Sequence, residues 1–450
     1  MDMTLLLQIP IAAIAAILLY TFIGFIPGTD ETSVLVPVTL ALVLAGVAPV
    51  VVLAFFIAAI VTLNLTNAIP TALVGLPGGV LSTPMMEHSL YLKDKGRAAE
   101  TIKKMAAGSG IGTIVAIPVS LAIAAAIAQY AETLREYGTL LFVFGAIVLA
   151  LLGGNRLLSL LAIIPMSLLF QGLISLYRDQ GVIPEDGSIT VSFFLGITIG
   201  PMLVSILQLL NRKTRETLPR RTPATLNISR EEMKGQSLSP KNILTKAEAA
   251  WTALMSFVTP FLFFLSPVGL TFLLGKASEG RRGSHVDKAN RSITAMNGIA
   301  HSAYLSGTII PLLAIGIPLS PVAIGPAQAL FNAPPVLSLE NNLHHMLSTP
   351  EFIAAVVIGA LLALAVTYYI AVRYSYQITY FVMRYIPHEA VLGLFVGFIL
   401  LLAYLDAGVA NIFGVLLVGV ACGTFNKLGV GYGVQFMTLY ASPWIVMNLL

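Results

Sequence analysis

The residues in this chain that can do chemistry are few, and they gather around Pro- and Gly-rich breaks in apolar sequence. Asp30 and Glu31 follow Pro27-Gly28-Thr29 between two apolar runs. Carboxylates at membrane depth are costly and usually functional; the alternative is a turn exposed at the surface. Asn67 precedes the stretch Gly75-Leu76-Pro77-Gly78-Gly79, and Ser82 follows it. A second group, His301, Ser302, Ser306, Gly307 and Thr308, precedes Gly316-Ile317-Pro318, with Ser320 behind it. Their amides and hydroxyls can bind an ion or a polar ligand. Ser and Thr in membrane helices can equally bond their own backbone or a neighbouring helix. An unperturbed histidine titrates near neutrality, so His301 reads either as a proton site or as a hydrogen-bonded packing residue. No zinc-ligand spacing, Ser/Lys dyad or pair of intramembrane aspartates stands out, so no catalytic residue and no metal site are assigned. His344-His345 has no other ligand cluster beside it.

The two groups surround two copies of one pattern. Ile69-Pro70-Thr71-Ala72-Leu73-Val74-Gly75-Leu76-Pro77 begins at 69, and Ile310-Pro311-Leu312-Leu313-Ala314-Ile315-Gly316-Ile317-Pro318 begins at 310, an offset of 241. Two prolines and a glycine cannot keep a regular helical hydrogen-bond ladder. At membrane depth such backbone is tolerated only where protein buries it or a water-filled cavity meets it. Paired interruptions in the two halves of a membrane protein point to a ligand site, the alternative being two kinked packing helices.

The elements that position these residues are apolar segments. Of 450 residues, 57% are hydrophobic and 10% charged, far from the roughly 25% charged residues of soluble domains. The chain reads as a multi-pass membrane protein with little soluble mass, and its net charge of +4 reflects loop placement rather than nucleic-acid binding. Cys422 is the only cysteine, which excludes an intrachain disulfide. Residues 1–20 lack a basic start and the apolar run continues, so no cleavable signal peptide is expected. Apolar segments are predicted near 5–26, 33–47, 50–77, 105–128, 137–153, 157–176 and 189–210. They continue at 249–274, 351–372, 388–404, 408–424 and 430–448. Residues 93–104 are basic, and the long polar stretch 211–248 holds nine Lys/Arg.

Loop charge relates the halves. The loop after the first motif (83–104) has five basic residues and its counterpart at 324–345 has none; the loop before the second motif (276–291) has five and its counterpart at 35–50 has none. Basic loops face the cytoplasm, so equivalent loops fall on opposite faces. The expected fold is an all-α polytopic membrane protein of two inverted-topology repeats, 1–210 and 249–450, joined by a basic cytoplasmic linker at 211–248. Broken helices or re-entrant hairpins should meet near the midplane. Segment 249–274 must cross an even number of times, which a two-leg or re-entrant hairpin satisfies.

Gly24-x-x-Pro27-Gly28, the Leu76-Pro77-Gly78 turn, Gly96-Arg97-Ala98 and the segment from Ile310 to Pro318 resemble the large permease subunit of the tripartite tricarboxylate transporters, the TctA family. The resemblance covers most of the chain. It implies a secondary transporter, a symporter with Na⁺ or H⁺ as coupling ion and no other cofactor, in the cytoplasmic (inner) membrane of a prokaryote. It further implies a small four-helix membrane subunit and an extracytoplasmic solute-binding protein as partners, besides membrane lipid and an anionic substrate; a homo-oligomer is compatible with it. The sequence departs from the family pattern at Gly75-Leu76-Pro77-Gly78-Gly79, which lacks the usual Asn and Glu, and reads as a divergent member. Two transport readings follow: a carboxylate importer of the tripartite type, and a stand-alone relative moving another anion such as a lipid-linked (polyprenyl) phosphate.

Overall fold

Apolar runs of this length leave the backbone one way to satisfy its polar groups, by coiling within each run. The computed structural model describes residues 3–27, 29, 31–76, 78–184, 190–212, 240–386 and 388–449. Helices of nine residues or more are α1 (Met3–Gly24), α2 (Glu31–Leu44), α3 (Pro49–Leu73), α4 (Met86–Asp94), α5 (Ala98–Ala128), α6 (Gly138–Leu152), α7 (Arg156–Asp179) and α8 (Thr190–Leu210). After the linker come α9 (Lys246–Val258), α10 (Pro267–Ala277), α11 (His285–Ala314), α12 (Thr349–Tyr385), α13 (His388–Lys427) and α14 (Tyr432–Leu449). Among the described residues there is no strand beyond two isolated bridges within 333–341. Among the described residues seven helices are long and apolar enough to cross a membrane, and the chain is an all-α polytopic membrane protein.

The two motif-bearing helices form the centre. Every residue of α3 from Val50 to Leu73 is buried, and α11 is buried almost throughout from Ala289 onward. A helix apolar on all sides belongs inside a bundle. Side chains such as Leu157 and Leu161 of α7 and Leu394 and Phe413 of α13 are exposed instead, as a lipid-facing surface requires.

Packing between the halves is reciprocal. The most extensive contact joins α5 to α11, and the equivalent contact joins α12 to α3. Likewise α5 packs on α9 while α12 packs on α1, and α8 packs on α13 while α14 packs on α6 and α7. Close approach needs glycine. A Cβ on Gly112 of α5 would lie 2.2 Å from the Gly298 carbonyl oxygen of α11, and one on Gly423 of α13 would lie 2.2 Å from that of Gly200 on α8. Small residues at helix crossings are the usual device for packing in lipid.

One detail differs from the sequence expectation, and two others fill it in. The basic stretch 93–104 is not a loop: residues 98–104 open α5, and Lys103 and Lys104 are buried. The Lys104 ammonium lies 2.5 Å from Glu248 and 3.2 Å from Glu100, which offsets the cost of burying it. Segment 249–274 is a two-leg hairpin, α9 and α10 joined by a 3₁₀ turn over Thr259–Leu262. The runs predicted at 388–404 and 408–424 are the two legs of α13, interrupted at Ala407 and Gly408, where the backbone leaves helical angles. Of the linker, residues 213–239 lie outside the described residues.

Candidate functional site

Each motif ends its helix in the same way. Pro70 and Pro311 lie inside the last turns of α3 and α11. Their carbonyls accept from Val74 and Gly75 in the first copy (2.8 and 3.1 Å) and from Ile315 and Gly316 in the second (3.1 and 2.9 Å). Gly75 and Gly316 have φ of 79° and 75°, the left-handed helix-ending conformation that glycine adopts without penalty. The freed carbonyls do not wait for an ion. Lys93 Nζ donates to Val74 O at 2.9 Å and Arg135 Nε to Ile315 O at 2.7 Å, while Asn342 Nδ2 donates to Gly316 O at 2.8 Å. Val74 and Ile315 are themselves 241 apart, so the same carbonyl is capped by a cation in each half.

The site forms beyond these ends. Glu31, at the N-terminus of α2, is 2% exposed. Its carboxylate accepts from Asn67 Nδ2 (3.2 Å) and from the backbone N–H groups of Val80 and Leu81 (3.3 Å each). Those two N–H groups open the 3₁₀ turn Val80–Met85, so Glu31 acts as the anion that a helical N-terminus attracts. Ser82 Oγ donates to Gly79 O at 2.8 Å, and Thr29 N donates to Gly78 O at 3.0 Å. Glycine is required here by space: a Cβ on Gly78 would lie 2.0 Å from the Asn67 carbonyl oxygen, and one on Gly79 would lie 2.2 Å from Glu31 Oε1.

A cavity of about 610 Å³ opens beside this cluster. Glu31, Val80 and Leu81 line it from the first half; Tyr304, Pro321 and Val322 line it from the second. Val80 and Leu81 correspond to Pro321 and Val322 at the 241-residue offset. The starts of α10 (Ser266–Gly269) and α14 (Gly431–Val434) also reach it, and no Lys or Arg does among the described residues. Apart from the Glu31 carboxylate, the groups in its wall that carry a field are the N-termini of helices. On α3, one turn before Asn67, Asn64 is 5% exposed, and neither its Oδ1 nor its Nδ2 has a partner; Asn67 Oδ1 has none either. Asn64 and Asn67 share a helix face, being three apart. Buried amides without partners ask for a ligand or water.

The sequence-predicted residues fall into two sets. Thr29, Glu31, Asn67, Gly78, Gly79 and Ser82 form one cluster, with Pro27 buried beside it. Gly28, Asp30 and Pro77 lie outside the described residues. On α11 the polar side chains are spent on protein. Ser302 Oγ donates to Ser256 O (2.7 Å), Ser306 Oγ to Ala303 O (3.3 Å) and Thr308 Oγ1 to Tyr304 O (2.9 Å). Ser320 Oγ donates to Gly307 O (2.6 Å) and caps the turn Pro321–Ile324, and Gly307 makes room for Val322 in that turn. The His301 ring bridges Asn297 O (2.9 Å) on its own helix and Val61 O (3.2 Å) on α3, where it holds the two motif helices together. Gly316 and Pro318 sit at the helix end, away from the cavity wall.

Sequence reading passes over the capping residues Lys93, Arg135 and Asn342, because nothing in a lone cation announces which distant carbonyl it will meet. It also passes over Asp406, which sits at the interruption of α13 and is bonded by Ser192 and Asn411. The signal was present as a lone acid between two apolar runs.

Residues 11–434 match the tripartite tricarboxylate transporter TctA family. Comparison with curated proteins and with solved structures gave no match. The match takes in both motif helices, the Glu31 cluster and every segment that lines the cavity; the chain belongs to the tripartite tricarboxylate transporter TctA family, a family of membrane transporters.

Proposed function

We propose that this chain is the membrane-embedded permease of an ion-coupled system that moves an organic anion, of the carboxylate class, through the cavity between its halves. One observation carries the reading. Residues that follow the two motifs at the same 241-residue offset, Val80-Leu81 and Pro321-Val322, line a single cavity of about 610 Å³. The starts of α10 and α14 turn two helix N-termini toward an anion there. Reciprocal packing supports two inverted-topology repeats, 1–210 and 249–450, related by a pseudo-two-fold axis, with alternating access by movement of the motif-bearing core. The setting is the cytoplasmic membrane of a prokaryote. The family name points to a small membrane subunit and an extracytoplasmic binding protein as partners.

A second reading has its own observation. An apolar groove of about 480 Å³, lined by residues such as Phe144, Phe263 and Phe264, shares Leu149 with the cavity wall. An anion carrying a long apolar tail, such as a lipid-linked phosphate, fits that arrangement.

The test is uptake into proteoliposomes together with melting-temperature shifts, with di- and tricarboxylates, inorganic phosphate and a polyprenyl phosphate as probes. A carboxylate should both stabilise the protein and cross the membrane. Transport of the polyprenyl phosphate alone would favour the second reading. No shift and no flux with any probe would overturn both.

A further inference from the structure

A second polar site lies at the interruption of α13, apart from the anion cavity. The first leg of the helix stops at Asp406, because Ala407 (φ −147°) and Gly408 (φ 72°) leave helical angles. The last carbonyls of that leg therefore lose their i+4 donors and carry the negative end of the helix dipole. Asn411 opens the second leg, and Ser192 faces both from α8. Asn411 Nδ2 lies 2.9 Å from Ala403 O, 2.7 Å from Ser192 Oγ and 3.4 Å from Asp406 Oδ2. Ser192 Oγ in turn donates to Asp406 Oδ2. Three oxygens thus converge on one point, and an amide with two N–H groups occupies it.

Two further observations point to a missing occupant. Asn411 is fully buried, yet its Oδ1 has no partner. Among the described residues Asp406 makes no salt bridge, and the two hydrogen bonds it accepts from them both fall on Oδ2. Turning the Asn411 amide over would withdraw its N–H groups and bring Oδ1 toward the same point. The set would then be a carboxylate, a hydroxyl, an amide oxygen and a helix-end carbonyl. All are oxygen ligands with one net negative charge, which suits a small hard monovalent cation and not a soft or multiply charged metal. Unwound backbone carbonyls at half-helix C-termini bind Na⁺ in this manner. A pocket of about 280 Å³, lined by Ser192, Asp406, Leu40 and Leu402, gives the ion a way in.

We propose that Asp406, Ser192, Asn411 and the Ala403 carbonyl form a Na⁺ site, and that this ion is the coupling ion. The proposal rests on the ion-coupled transport reading for the second clause only. The geometry also offers a link between sites. Helix α2 begins at Glu31 in the anion cavity and carries Leu40 and Leu44 in the wall of the cation pocket. Ser33 Oγ fastens it to Thr198 O of α8 at 2.8 Å, the helix that carries Ser192.

The experiment is thermal unfolding of the purified full-length protein in NaCl, KCl or choline chloride at equal ionic strength, with no anionic substrate added. NaCl should raise the melting temperature saturably, and KCl and choline chloride should not. Asp406→Asn should abolish the Na⁺ response. Ser192→Ala, which leaves the carboxylate in place and guards against a folding defect in the first variant, should raise the half-saturating Na⁺ concentration on the order of 10–100-fold. An unchanged Na⁺ response in Asp406→Asn, or equal effects of all three salts on the wild-type protein, would overturn the site. A Na⁺ response lost in Asp406→Asn, in a protein that moves no anion, would leave the site standing and remove the transport reading. Anion flux that proceeds equally without Na⁺ would remove only the coupling role.

Discussion

Glu31 is bound the way a substrate carboxylate would be bound. An amide and two backbone N–H groups hold it at a turn N-terminus; Gly79 stands against it and Gly78 against the Asn67 backbone, each with no space for a methyl group. Gly78→Ala must push the Asn67 carbonyl aside, so we expect a loss of about 1–3 kcal/mol of stability, the usual range for overpacking. Gly172→Ala, where a Cβ meets nothing within 4 Å, should be neutral or slightly stabilising in the same chemical-denaturation assay. Equal effects of the two would mean that the 78–79 segment has slack. Gly75 and Gly316 are poorer probes of ligand binding. Any side chain there is strained by its positive φ before it meets a ligand. This distinction was not legible in the sequence, where all four glycines look alike. What separates them is which atom of which other helix stands opposite, and that depends on contacts tens to hundreds of residues away.

At the scale of the element, both motif helices end under a cationic cap from elsewhere in the chain. The second cap belongs to a small polar assembly. Arg135 holds Ile315 O, Asn342 holds Gly316 O and His344 Nδ1 lies 3.0 Å from Leu312 O. Burial is the main reason that His344 titrates below its ordinary value of 6.5, and Arg135 adds to the shift; burial likewise lowers His345. A histidine whose folded pKa is depressed binds more protons when unfolded, so its share of stability is complete above pH 6.5 and is lost as pH falls below it. Melting temperature should therefore drop between pH 6.5 and 5, and His344→Gln should flatten that drop. An identical profile in the variant would place the titration elsewhere. Arg135→Met should lower stability by about 1–2 kcal/mol, since it strips a charged donor from a helix-end carbonyl; no change in melting temperature would mean that Asn342 and water suffice. The helices themselves were legible, because runs such as 50–77 and 105–128 have only one way to satisfy their backbone in lipid. Their ends were not. Side chains from distant segments take the carbonyls of Val74, Ile315 and Gly316, and α5 starts earlier than predicted because Lys104 finds Glu248.

For the molecule as a whole, the nine-residue pattern that recurs at an offset of 241 was legible, and it marks the ends of both α3 and α11. The exchange of packing partners between halves was not, since no local signal says that α3 prefers α12 or that α5 prefers α11. That exchange has a consequence for how the protein is made. When a ribosome has finished α3, which ends at Leu73, the chain must grow to Tyr385 before α12 is complete. At typical synthesis rates of 5–20 residues per second, those roughly 300 residues take about 15–60 s. Throughout that interval Gly- and Asn-bearing faces of the first half lie in the bilayer without their mates. Residues 1–212 expressed alone should therefore be degraded, and co-expression of 240–450 as a separate chain should restore them to the membrane. Pulse-chase labelling would read this directly. A first half that persists alone would mean that some insertion partner shelters it, whereas rescue by the second half would identify each half as the chaperone of the other during birth.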